Sequence, residues 1–218
     1  MEASKLTNTL LSKLVTMSFR KEKKFRVTVS DFHALQTQLL NEGMSPLYKP
    51  RRINSIYFDT SNLNMFFDSE EGTLPRKKIR VRWYDEEHNF TLEKKISSIE
   101  GRYKTTKLLT DISLDSEILN KRFLDCQYGM TIPTLMVSYE RSYFSFKSMR
   151  ITFDNNITYK TKRLGFRRVY QDPERVIEIK TPANCSDDYI ENQVPYTTSR
   201  FSKFSRGLLL CSGKLNEF

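Results

Sequence analysis

The chain has 218 residues, 38% of them hydrophobic and 28% charged, which excludes a disordered segment and fits one globular domain with a sizeable core. Thirty-six Lys and Arg against 26 Asp and Glu give a formal net charge of +10, so the expected partner is an anion: nucleic acid, an anionic membrane or phosphate-rich small molecules. Cys126, Cys185 and Cys211 are odd in number and show no CxxC spacing, which argues against a disulfide scaffold and a thiolate zinc site.

In chain order, Leu6, Leu10, Leu11 and Leu14 recur at helical spacing, so residues 1–18 read as an N-terminal amphipathic segment ahead of a domain at 19–218. A strand at 19–29 leads to a helix at 31–43, with Ser30 or Asp31 as cap and Gly43 as stop. A strand at 52–60 precedes a short helix at 61–71, capped by Ser61 or Asn62. Further strands are expected at 77–84, 89–96, 102–109, 135–146, 149–153, 157–163, 166–170 and 175–180, with helices near 115–125 and 199–210. The longest low-charge run, LLLCSG at 208–213, is too short to span a bilayer, and the first residues lack a signal-peptide pattern. We therefore expect a cytoplasmic protein without a transmembrane segment. His33 and His88 fall on a surface helix and a turn, and neither has an evident partner in the pattern.

Sorting each strand into its two faces gives the functional signal. In KKIRVRWY at 77–84, Lys78, Arg80 and Arg82 oppose Ile79, Val81 and Trp83. The same sorting puts Glu22 and Lys24 with Arg20 and Arg26, Glu93 with Lys95, and Glu178 with Lys180, the last two opposite Ile177 and Ile179. Arg150, Thr152 and Asp154 share a face, as do Arg102 with Lys104 and Arg141 with Tyr139 and Tyr143. Such faces point either to solvent from a sandwich or into a water-filled lumen whose apolar outer faces are covered by helices. A cation-lined lumen is costly when empty, since two like charges about 4 Å apart repel by roughly 4 kcal/mol at an effective dielectric near 20. It calls for a polyanion, gripped by Arg forks and mobile Lys charges.

From Phe19 to Leu209 the sequence resembles the VTC domain of polyphosphate polymerases, a branch of the triphosphate tunnel metalloenzymes. The matching pieces are EKKF at 22–25, SIYFDT at 55–60, KIRVRWY at 78–84, LEKK at 92–95, YERSYF at 139–144, RITFD at 150–154, VIEIK at 176–180 and SKFSRG at 202–207. The resemblance implies an α+β fold built on a closed antiparallel eight-stranded β-barrel with helices outside, and synthesis of inorganic polyphosphate from ATP with Mn²⁺ or Mg²⁺. It assigns Arg80, Arg82, Lys95 and Arg141 to the reacting phosphoryl group, and Lys24, Lys104, Arg200, Ser202 and Lys203 to phosphate binding. Glu178 matches the metal-binding glutamate, with Glu22 as a second candidate. ATP and polyphosphate are the implied partners, and no stable nucleic-acid partner is expected.

One departure bears on the reaction. Related tunnel triphosphatases begin with an ExExK motif, whereas here the run is RKEKK at 20–24, with Arg20 in place of the first acid. Fewer acids favour transfer to a phosphate acceptor over water activation. Two alternatives stand beside the polymerase: a tunnel triphosphatase acting on inorganic triphosphate, nucleotides or an RNA end, and a non-catalytic polyphosphate or nucleic-acid binding module.

Overall fold

The structure, a computed structural model, describes residues 20–85, 87, 89–113 and 115–214; the amphipathic segment expected at 1–18 and His88 lie outside them. Strand β1 (Arg20–Val27) leads into α1 (Val29–Asn41). The helix is capped by Thr28, whose Oγ1 accepts from the Asp31 backbone N at 3.1 Å, rather than by Ser30 or Asp31. β2 (Ser45–Asp59) ends at α2 (Asn64–Glu71). There the buried Asp59 carboxylate accepts from the backbone N of Met65 and Phe66, both at 2.9 Å, so the cap comes from the strand end and not from Ser61 or Asn62.

β3 (Arg76–Tyr84), β4 (Thr91–Ser98) and β5 (Gly101–Leu108) form a meander. The helix expected at 115–125 is a single turn, α3 (Asp115–Ile118), and the chain then re-enters the sheet as β6 (Phe123–Asp125). β7 (Gly129–Phe146) and β8 (Met149–Thr161) make one long hairpin, so the two strands expected at 149–163 are one. Its interruption is local: the register shifts between Ser138 and Glu140, and Asn156 takes φ 49, a left-handed conformation that Asn tolerates. After a short 3-10 turn come β9 (Tyr170–Gln171), β10 (Arg175–Pro182), α4 (Asp187–Gln193) and α5 (Lys203–Cys211).

The main sheet runs β1-β10-β8-β7-β2-β3-β4-β5, entirely antiparallel, with β6 and β9 paired beside it. It curls into a half-barrel, and the closed barrel expected from the resemblance is not formed. Among the described residues β1 ladders only with β10 and β5 only with β4, leaving a seam between the two edge strands. Coil lies along that seam: Ser199 N donates to the Lys24 carbonyl at 2.9 Å, taking an acceptor on the free edge of β1.

The convex face carries two apolar clusters. Phe25, Ile151, Phe153, Ile177 and Ile179 cluster with Phe32, Leu35 and Leu39 of α1 and Ile190 of α4, and Ile56, Phe58, Ile79, Val81, Trp83 and Phe90 cluster with Ile118 of α3. A third cluster, with Tyr57, Leu135, Val137, Tyr139, Tyr159, Phe204 and Leu208, lies on the concave side. The helices are therefore not all outside, because α5 docks against the inner face at one end. Gly207 permits that approach: a Cβ there would sit 2.4 Å from Tyr159 Cδ1 and 2.7 Å from Leu135 Cδ2. Among the described residues no helix is long and apolar enough to cross a membrane.

Candidate polyanion site

The concave face encloses a cavity of about 1120 Å³ whose walls carry far more Lys and Arg than acids. The alternation that buries Ile79, Val81 and Trp83 on the convex side turns Lys78, Arg80 and Arg82 inward. The residues that the resemblance assigns all reach this one cavity: Lys24, Arg80, Arg82, Lys95, Lys104, Arg141, Arg200, Ser202 and Lys203, together with Glu22 and Glu178.

Two buried carboxylates organise the cations. Glu93 accepts from Arg80 Nε at 2.6 Å and from Lys104 Nζ at 2.6 Å, with Arg82 Nη1 at 3.9 Å. Although burial pushes the Glu93 carboxyl up, Arg80 and Arg82 outweigh it and bring it down to about 2. Asp154 accepts from Arg141 Nε at 2.5 Å, Arg141 Nη2 at 2.7 Å and Lys203 Nζ at 2.5 Å. It is fully buried, and Lys203 and Arg141 hold its pKa below the ordinary carboxylate value despite the burial that opposes them. The sequence pattern had placed Asp154 on the charged face with Arg150 and Thr152. In the structure it sits within β8, opposite Arg141 in register.

Across β1 and β10, Glu22 pairs with Lys180 and Lys24 with Glu178. Lys24 Nζ lies 3.0 Å from Glu22, and Lys180 Nζ lies 3.0 Å from Glu178 and 3.5 Å from Glu22. Burial opposes ionisation of Glu178, but Arg141, Lys180 and Lys24 keep it well below the usual carboxylate range. Two carboxylates held ionised and facing one cavity are oxygen donors of the kind a hard divalent ion would take. They do not make a protein cage, and among the described residues no group of three or more His, Cys, Asp or Glu is placed to form one.

The N-terminus of α5 also faces the cavity. Ser202 is its cap, accepting from Ser205 N at 3.4 Å, and its Oγ takes a hydrogen bond from Lys78 Nζ at 2.8 Å. Enclosure lowers the Lys78 ammonium to about 8, with Lys24 and Arg76 contributing and Tyr57 opposing. Lys95 falls to about 8 as well, through enclosure and the charge of Arg80. Arg200 is partly committed elsewhere: its Nη atoms donate to the Ser69 and Glu70 carbonyls at the C-terminal end of α2.

Tyr57 and Tyr139 were not singled out as binding residues. Tyr57 Oη accepts from Arg80 Nη1 at 3.0 Å, and its ring stacks on Phe204 at 4.9 Å. Burial pushes the Tyr57 phenol up, but Arg80 and Arg82 bring it down to about 7. Tyr139 lies under Lys203 Nζ at 4.4 Å and Arg141 at 5.3 Å. Alternation with Arg141 was the available signal for Tyr139, whereas Tyr57 lies between Ile56 and Phe58 and only the β2–β3 register places it against Arg80.

The fold is a curled antiparallel half-barrel around a cation-lined cavity. The VTC domain model matches residues 19–211, and the chain belongs to that family. Among solved structures, a candidate adenylate cyclase from Bacillus halodurans is 16% identical, with 84% of this chain and 95% of that chain covered at a TM-score of 0.54. A Hippeastrum protein, described as a candidate adenylyl cyclase with a dominant triphosphatase activity, is 14% identical over 89% and 96% of the two chains at 0.52. A conserved hypothetical protein from Pyrococcus furiosus is 12% identical over 85% and 98% at 0.51. These likenesses establish the fold. A search of curated proteins found no match.

Proposed function

We propose that the chain is a polyphosphate polymerase that transfers the γ-phosphoryl group of ATP to a growing inorganic polyphosphate chain inside the cavity. The observation carrying this reading is the cavity wall, where Arg80, Arg82, Arg141 and Lys203 are held in place by Glu93 and Asp154. Preset cations suit phosphoryl transfer, in which positioning and charge stabilisation do most of the catalytic work.

In this reading Arg80, Arg82, Lys95 and Arg141 neutralise charge developing on the transferred group. Lys24, Lys104, Ser202 and Lys203 hold the neighbouring phosphates, and Arg200 contributes charge beside α2. An oxygen of the acceptor phosphate attacks the γ-phosphorus in line, the bond to the β–γ bridging oxygen breaks, and ADP leaves. The acceptor is already ionised, so no strong general base is needed. Glu178, with Glu22, would hold a divalent ion, Mn²⁺ or Mg²⁺, which would supply positive charge to offset that of the phosphates. A cytoplasmic setting belongs to the same proposal.

The test is incubation of purified protein with ATP and Mn²⁺, reading polymer on a gel and orthophosphate in parallel, with Arg80→Ala and Glu178→Ala as controls. Polymer that is lost in both variants supports the reading. Orthophosphate without polymer replaces it with a triphosphatase, the activity described for the Hippeastrum protein of the same fold. Ligand binding without either product leaves a binding module.

A further inference from the structure

The turn between β8 and β9 lies outside the cavity and carries a charge of its own. Between Asn155 and Gln171 the chain has five cations, Lys160, Lys162, Arg163, Arg167 and Arg168, and no acid. None of the five lines the central cavity. The next acids along the chain are already taken, since Arg206 holds Asp172 at 2.6 Å and Glu174 at 2.7 Å. Among the described residues no carboxylate lies within ion-pair distance of the five, and Arg168 rests on the Tyr170 ring at 4.8 Å.

The backbone fixes this turn. Thr161 Oγ1 accepts from Arg163 N at 3.4 Å, Gly165 N donates to the Lys162 carbonyl at 2.8 Å, and Phe166 N donates to the Thr161 carbonyl at 2.9 Å. Gly165 and Phe166 are both left-handed, at φ 58 and 57, a conformation that costs a bulky residue energy and is held by those bonds. It leaves Leu164 40% and Val169 54% exposed among the cations. Two more apolar side chains stand at the same end of the sheet. β7 pairs with β8 only from Leu135, opposite Thr161, so residues 129–134 run on past the end of β8, and the turn touches β7. There Met130 is opposite Leu124 in the β6–β7 register, and the two are 56% and 71% exposed.

A single exposed apolar side chain is ordinary, but four at one end beside unpaired cations match the two requirements of a bilayer surface: apolar groups for the headgroup region and positive charge for anionic lipids. A nucleic-acid strand fits this end less well, because Leu, Val and Met offer bases no ring to stack on. We propose that this end of the half-barrel docks on an anionic membrane surface, with Leu164 and Val169 set among the headgroups and Lys162, Arg163, Arg167 and Arg168 against the lipid anions. The surface is separate from the cavity and does not depend on the reaction proposed there.

The test is flotation of the full chain with vesicles of phosphatidylcholine alone and of an equal mixture with phosphatidylserine, for the native protein, Arg167→Gln/Arg168→Gln and Leu164→Ser/Val169→Ser. Thermal melts establish that each variant is folded, and Lys162→Gln/Arg163→Gln replaces the charge pair if it is not. The native protein should float with the mixed vesicles and not with phosphatidylcholine. Each basic residue near an anionic surface is worth about fivefold in partitioning, so the charge pair should lose roughly tenfold or more. The apolar pair should bind at low salt and come off at a salt concentration that the native protein withstands, because screening removes the charge attraction and leaves the apolar insertion. A native protein that ignores mixed vesicles overturns the proposal, and binding of polyuridylate through the same cations would then assign the surface to nucleic acid. It is equally overturned if the charge pair floats like native, if the apolar pair matches native at every salt concentration, or if Arg80→Ala alone abolishes flotation and so places the contact at the cavity.

Discussion

Glu93 and Asp154 perform the same electrostatic task, each buried behind a different set of cavity-lining cations, but in unlike settings. Asp154 is on β8, between β7 and β10 in the middle of the sheet, and one of its partners, Lys203, comes from α5. Glu93 is on β4, one strand from the open edge, and its partner Lys104 on β5 has a side chain 45% exposed. A carboxylate in the first position ties the site to the core and to the docking of a helix. In the second it ties the site to a strand that is free on one side. Disturbing Asp154 should therefore damage the fold and the site together, whereas disturbing Glu93 should act mainly on the site.

The largest effect is expected from Asp154→Asn, which keeps the shape and removes the charge between Arg141 and Lys203. Leaving those cations buried without their partner should cost about 3–5 kcal/mol of stability by urea denaturation. A loss below about 1 kcal/mol would mean that water or Glu178 takes over the pairing, and the contrast with Glu93 would collapse. Next in size is Gly207→Ala, on the α5 side of the same wall. Its Cβ meets Tyr159 and Leu135 well inside van der Waals contact, and overpacking of this kind costs about 1–3 kcal/mol, partly offset by the better helix propensity of Ala. If the variant melts with the native protein, α5 has room to move and its contact with the inner face is looser than described.

Glu93 is best separated from Asp154 by acid. Its folded-state pKa, about 2, lies below the ordinary 4.5, so the stability it contributes is fully present above about 4.5. That contribution is lost as pH falls toward 2. Urea denaturation at several pH values should show Glu93→Gln less stable than native at pH 6, with the gap closing as the pH is lowered through this window. A gap that stays constant would show that Glu93 acts through packing instead of charge.

How much of this was legible in the sequence follows from which interactions are local. Alternation along single strands put Arg80 with Arg82, Glu93 with Lys95 and Tyr139 with Arg141 on common faces, but left open whether those faces met solvent or a lumen. The partners of those residues were not legible. Arg141 meets Asp154 only through the β7–β8 register, and Arg80 meets Tyr57 only through β2–β3. Closure was also out of reach: nothing in the pattern of β1 or β5 says whether their free edges find each other, and coil around Ser199 takes part of that edge. The helix at 199–210 was placed well in sequence but on the wrong side of the sheet. Phe204 and Leu208 give it an apolar face, and the small Gly207 that admits it to the concave side reads from sequence only as a weak helix residue.

The smallest expected effect concerns Tyr57, on the Arg80 side of the comparison. As pH rises through about 7 the phenol becomes negative beside Arg80, and as it rises through about 8 Lys78 and Lys95 lose their positive charge. Each change makes the wall less favourable to an anion, so tripolyphosphate affinity should fall steadily between pH 7 and 9. Tyr57→Phe removes the first of these titrations and leaves the second, and it should bind a few fold more tightly than native near pH 8 while matching it at pH 6. The effect stays small because the charges act across a water-filled cavity, where screening is strong. It is nonetheless specific in sign. Loss of a hydrogen bond to Arg80 alone would weaken binding at every pH, so an affinity below native at pH 8 would assign Tyr57 the role of a neutral support for the guanidinium and leave the lysines as the groups that set the pH dependence.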